Sequence, residues 1–117
     1  MQKLIQKTLL TNQSLKSIMD SMSETGYKYN EGALIKELQS YIDSTYDQHY
    51  SLNQYQATEF IIDAGHGEGF CVGNVLKYAQ RYGKKGGKNR ADLLKVLHYA
   101  IIQLYIHDLE NQRDENK

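Results

Sequence analysis

Residues 70–99 read FCVGNVLKYAQRYGKKGGKNRADLLKVLHY, and this stretch decides the fold. Cys71, Val72, Val75, Leu76 and Ala79 recur at helical spacing and predict a helix over 71–82. Gly83 is a natural stop, since glycine readily adopts the left-handed backbone that closes many helices. After the loop Lys84-Lys85-Gly86-Gly87-Lys88, Asn89 offers a side-chain cap and Asp92 sits near the positive end of a second helix. Leu93, Leu94, Leu97, Ala100, Ile101, Leu104 and Tyr105 then make the broad apolar surface expected of a central helix. Two helices joined by so short a turn pack as antiparallel neighbours.

Outward from this pair, the chain continues to read as helical. Residues 3–10 fit either helix or strand. Leu15, Ile18, Met19 and Met22 predict a helix over 14–24, ended by Gly26. Asn30 can cap the next one, whose Ala33, Leu34, Leu38, Tyr41 and Ile42 share a face. Tyr46 to Tyr55 reads as a polar, aromatic connecting loop. A short helix follows over 57–64 with Phe60 and Ile61 inward, and the tail ENQRDENK reads as frayed. The expected fold is all-α: a small helical domain with an N-terminal helical hairpin and two core helices joined by a basic Gly/Lys loop. Residues 1–45 form the N-terminal extension, 46–110 the core and 111–117 the tail.

Composition agrees. The 117 residues suit one domain, with no proline and ten tyrosines. The single Cys71 excludes an internal disulfide and a cysteine zinc cluster, and a reducing cytoplasm is the expected compartment. No apolar run approaches the roughly 20 residues that span a bilayer, and the start MQKLIQKTLL is too short and polar for a secretory signal.

Charge is unevenly placed in a chain whose formal net charge is zero. Lys77, Arg81, Lys84, Lys85, Lys88 and Arg90 fall together with no acid among them, while both flanks are acidic. Local field rather than net charge governs what binds, so the cluster points to phosphate. The acidic flanks could instead face a neighbouring subunit's basic segment, which makes a homo-oligomer part of the expectation. Within the helix, Asn74, Lys77, Tyr78 and Arg81 fall on one stripe. An amide, an ammonium, a phenol and a guanidinium on one stripe can address a nucleotide's phosphate, sugar and base; a solvated polar face is the alternative. Gly73, beside the stripe, costs about 1 kcal/mol relative to alanine in a helix, which a close helix contact or a ligand would explain. Lys84 and Lys85 add longer-range attraction.

Other chemistry finds less support. Gly65-His66-Gly67-Glu68-Gly69 can be a phosphate cradle or a plain turn, and its spacing is not the dinucleotide fingerprint. KKGGK lacks the order of a P-loop. The histidines show no metal spacing, so no metal site is expected and no catalytic residue is nominated. Glu59 and Asp63, at i and i+4, could bind magnesium or balance the cations. Nucleic acid ranks last as a partner, because the basic patch is short and acidic on both sides.

His49-Tyr50, Glu59, the run Phe70-Cys71-x-Gly73-Asn74-x-x-Lys77-Tyr78-x-x-Arg81, Lys84-Lys85, Asp92-Leu93-x-Lys95 and Tyr99 carry a resemblance. Over about residues 47 to 107 the chain resembles the SaV-like family of small phage proteins, one of which is a nucleoside monophosphate kinase without a Walker loop. The first 45 residues and the GHGEG loop lie outside that pattern. The resemblance implies a phage or prophage origin, hence the cytoplasm of an infected bacterium, and a nucleotide ligand. It also adds His49 and Tyr50 to the binding residues. The leading expectation is capture of a phosphorylated or cyclic nucleotide, such as an immune signal, without turnover. A kinase is the alternative, and magnesium and ATP are implied only by that alternative.

Overall fold

The computed structural model describes residues 26–48 and 51–115. Among these, four helices follow in order: α1 (Glu31–Tyr46), α2 (Ser51–Asp63), α3 (Gly67–Arg81) and α4 (Arg90–Glu115), with no strand. The all-α expectation holds. The stretch 3–10 and the helix expected over 14–24, the first half of the N-terminal hairpin, lie outside the described residues, while the helix expected after Asn30 is α1. The chain divides into two compact units, Met1–Glu37 and Leu38–Lys117. In the first, Asn30 adopts a left-handed backbone with φ 61° and accepts from Leu34 N through its carbonyl. The Glu31 carboxylate reaches back to accept from Tyr29 N–H at 2.7 Å.

The second unit is built on α3 and α4, and they are antiparallel as expected. Arg81 at the end of α3 meets Asp92 at the start of α4, while Gly67 at the start of α3 lies against Ile106 far along α4. Gly67 is buried, and a Cβ there would come within 2.8 Å of Ile106 Cδ1 and 3.0 Å of Ile62 Cγ1. The missing side chain is what lets α2, α3 and α4 converge. Cys71 and Ile106 are the buried apolar side chains of the described residues. Burial pushes the Cys71 thiol up from its ordinary value, which leaves it an inert core group.

The turns follow from local chemistry. Gly65 takes φ 88°, with Gly65 N–H donating to Ile62 O and His66 N–H to Ile61 O. This pair of bonds is the Schellman closure of α2. The GHGEG stretch is thus a helix-to-helix turn followed by the first turn of α3. Gly83 likewise stops α3 with φ 87°, and Asn89 Oδ1 caps α4 by accepting from Ala91 N–H at 3.0 Å.

Five local expectations are corrected. The loop expected over 46–55 is mostly helix: α1 runs to Tyr46 and α2 begins at Ser51. Tyr55 therefore belongs to a helix, where it stacks on Tyr46 with ring centroids 4.2 Å apart. Tyr55, Thr58 and Ile62 recur at helical spacing and take the inner face, which turns Phe60 outward at 80% exposure. α3 starts at Gly67 rather than Cys71, because the packing of Gly67 rewards a helix that glycine's propensity disfavours. In α4, the apolar residues expected to face the core face outward, with Leu97 47% and Leu104 63% exposed. That helix also continues through residues 111–115, expected as frayed tail.

Candidate functional site

Within the second unit a cleft of about 580 Å³ is lined by α3, α4, α2 and the C-terminal part of α1. Its walls follow from helix periodicity. α3 contributes Asn74, Lys77 and Tyr78 from one flank, and α4 contributes Lys95, His98 and Tyr99. Tyr41, Tyr55 and Phe70 complete an aromatic interior, beside which Thr45 offers a hydroxyl. The volume is in the range of small-molecule clefts, which run from about 300 to 1,000 Å³.

Tyr78 is the centre of the rim. Its ring lies nearly parallel to Tyr99, at 9° with centroids 6.0 Å apart, and Phe70 meets Tyr99 edge-on at 5.8 Å. Lys77 Nζ lies 5.3 Å and Lys95 Nζ 4.9 Å from the Tyr78 ring centroid. The negative ring face holds both ammoniums. No carboxylate lines the cleft among the described residues.

Deeper in, the polar groups are held by the helices' own carbonyls. Asn74 Nδ2 donates to Phe70 O at 2.9 Å. Thr45 Oγ1 spends its one proton on Ile42 O at 2.7 Å, so Tyr55 OH must be the donor in the close Tyr55–Thr45 contact. His98 sits among Tyr41, Tyr55 and Tyr99, edge-to-face with Tyr41 at 5.9 Å. Burial lowers its pKa from the ordinary imidazole value and keeps the ring neutral at pH 7. Burial, with the neighbouring Tyr78 phenol second, raises Tyr99; burial also raises Tyr55. At neutral pH the interior is an uncharged, hydrogen-bonding aromatic box beneath two cations.

The residues predicted from sequence separate here. Asn74, Lys77 and Tyr78 line the cleft together. Arg81 lies on the same stripe but turns to α4, its Nε 3.8 Å from the Asp92 carboxylate. Asp92 is 2% exposed, so the guanidinium is the counter-charge of a buried acid. Asp92 Oδ2 and Arg81 Nε are both buried without a hydrogen bond, which marks the pair as an ion pair rather than a bidentate clamp. Lys84 and Lys85 are exposed in the turn, with Lys84 Nζ 3.5 Å from Gln80 Oε1, and they are not part of the cleft lining. His49 and Tyr50 lie outside the described residues. Glu59 and Asp63 are exposed on α2. Among the described residues no three His, Cys, Asp or Glu side chains gather as a metal site would require. Gly73 has open space where a Cβ would stand, so no helix contact explains it. His98 and Tyr55 are not among the residues expected for the site, and Lys95 and Tyr99 enter from the sequence only through the family resemblance. The available signal was the run Lys95, His98, Tyr99, whose spacing places one face of α4 opposite the Lys77-Tyr78 face of α3.

Fold and site together define a small all-α domain with an aromatic cleft under a cationic rim. Residues 44–101 match a family model described as a protein of unknown function (DUF3310). The matched span takes in both rim lysines and every aromatic residue of the cleft except Tyr41. No match was found among curated proteins or solved structures. Among the described residues no helix is long and apolar enough to cross a membrane.

Proposed function

We propose that the cleft binds a phosphorylated nucleotide, its base among the tyrosines and its phosphate at Lys77 and Lys95. The observation that carries this reading is the convergence of the two ammoniums on the Tyr78 ring. Two ammoniums on one ring, with no carboxylate among the described cleft residues, form a field that an arriving phosphate relieves. The ring beneath them offers a stacking surface for a base, and neighbouring Asn74 and Tyr99 offer polar atoms to its edges. Tight capture without turnover needs no more than this. Sequestration of a nucleotide immune signal by a phage protein, in the cytoplasm of the infected host, is the physiological form supported by the resemblance of residues 47–107.

Nucleoside monophosphate phosphorylation is the second reading, favoured by the same two lysines. Phosphoryl transfer depends on positioning and charge neutralisation more than on covalent chemistry from the protein. One experiment separates the two. The protein is incubated with nucleoside mono- and diphosphates and cyclic dinucleotides, with and without ATP and magnesium, then denatured, and the small molecules are weighed by mass spectrometry. Intact recovery at protein stoichiometry is expected. Multiple turnovers to a phosphorylated product would establish the kinase instead, and the absence of both retention and turnover would overturn both readings.

A further inference from the structure

α4 is apolar on two sides. Its inner side carries Asp92, Tyr99 and Ile106 toward α3 and the cleft. Leu93, Leu97, Ile101 and Leu104 recur at spacings of four, four and three on the opposite side, between 42% and 63% exposed. The groove beside this stripe is lined by Val72 and Leu76 of α3, which are 44% and 63% exposed. Together these six apolar side chains, each at least 42% exposed, form a contiguous patch of the kind that marks an interaction surface. A helix apolar all round is normally covered all round.

The ends of the stripe identify the cover. Arg90 and Asp108 lie five helical turns apart, and so at the same angle as the stripe, at its two ends. Lys84, Lys85 and Lys88 precede the basic end, and Glu110 follows Asp108 at the acidic end. At the angle of the stripe, Arg90 at one end and Asp108 at the other each carry charge opposite in sign to what the helix's own dipole favours. Such an arrangement is self-complementary when the helix is turned end for end. A two-fold axis on the stripe side of the helix, at the level of residue 99, sets Arg90 against Asp108 of the second copy, Lys88 against Glu110, and Leu97 against Ile101.

We infer that the outer face of α4 is the interface of an antiparallel homodimer, in which the stripe is buried and the oppositely charged ends pair. The chain's second copy fits because the stripe's partner must be apolar at its centre, acidic at one end and basic at the other, and α4 itself meets all three conditions. The cleft lies on the other side of the helix, so the dimer leaves both clefts open.

The test is the mass of the full chain in solution by light scattering, across micromolar concentrations and at low and high salt. Twice the 13.5 kDa of one chain is expected, weakening as salt screens the end pairs. Leu97→Asp should give a single-chain mass with unchanged helicity by circular dichroism. Arg90→Asp should raise the dimer dissociation constant at least about tenfold, as should Asp108→Arg, and the double variant should recover most of the loss. A single-chain mass for the parent protein would overturn the inference and assign the cover to the segment containing Leu15, Ile18, Met19 and Met22 or to another protein. A Leu97→Asp variant that remains dimeric, or a double variant that fails to recover, would overturn it equally.

Discussion

The molecule holds its cations in two different ways. Lys77 and Lys95 are distant in sequence and sit on different helices, yet both lie over the Tyr78 ring. Lys84, Lys85 and Lys88 are near neighbours in a glycine-rich turn, where they are exposed to solvent. The turn is the denser cluster by sequence, but its charges stand in high dielectric on flexible stems, where each is worth little. The helix pair places fewer charges over an aromatic surface, held in register by the packing of α3 against α4. In the proposed reading, the helix-borne arrangement makes the site and the turn supplies a field.

The sharpest way to break this contrast is to remove both helix-borne ammoniums. A charged hydrogen bond contributes on the order of 1.5–3 kcal/mol. Lys77→Ala with Lys95→Ala should therefore weaken nucleotide binding about a hundredfold or more by calorimetry. An unchanged affinity would show that the rim is not the phosphate site.

Next in size is Arg81→Ala, which tests whether the third cation of the stripe belongs to the cleft or to the core. It leaves the buried Asp92 carboxylate without its counter-charge, a loss of about 1–3 kcal/mol on the scale of an unpaired buried polar group. Denaturant titration should show this loss, while the affinity of the folded protein stays within about twofold. A tenfold loss of affinity at unchanged stability would move Arg81 into the site.

His98 offers a pH test of the cleft interior. Its folded pKa is depressed, so the unfolded chain takes up a proton first as pH falls. The stabilisation from the neutral ring is complete above the ordinary imidazole value of 6.5 and is lost as pH drops below it toward the folded value. Urea midpoints should fall across that window in the parent protein and fall less in His98→Phe. A parent profile that matches the variant would place His98 in contact with water.

The smallest effect belongs to the loop. Lys84→Ala with Lys85→Ala should change affinity less than about twofold at physiological salt and more at low salt, where screening is weak. A large, salt-independent loss would bring the loop into the site and erase the contrast between the two groups of cations.

The legible parts of this protein are those in which neighbouring residues set the outcome. Apolar spacing from Cys71 onward and the Gly83 and Asn89 signals mark α3, α4 and the turn between them. One stripe of α3 yields Asn74, Lys77 and Tyr78 as cleft residues. Illegible were the features that depend on what a distant helix presents. Tyr55 reads as loop until its stack on Tyr46 and its bond to Thr45 are seen. Gly67 reads as a helix breaker until Ile62 and Ile106 stand where its side chain would be.

By itself, then, the sequence determined the helical class, the antiparallel pair and the polar stripe of α3, because periodicity and capping act within a few residues. Tertiary structure decided which side of α4 faces inward, that Arg81 answers Asp92, and that Lys95 joins Lys77 over Tyr78. α4 is apolar around most of its circumference, so its pattern has no single preferred face. The choice falls to the contact that buries Ile106 against Gly67 and stacks Tyr99 on Tyr78.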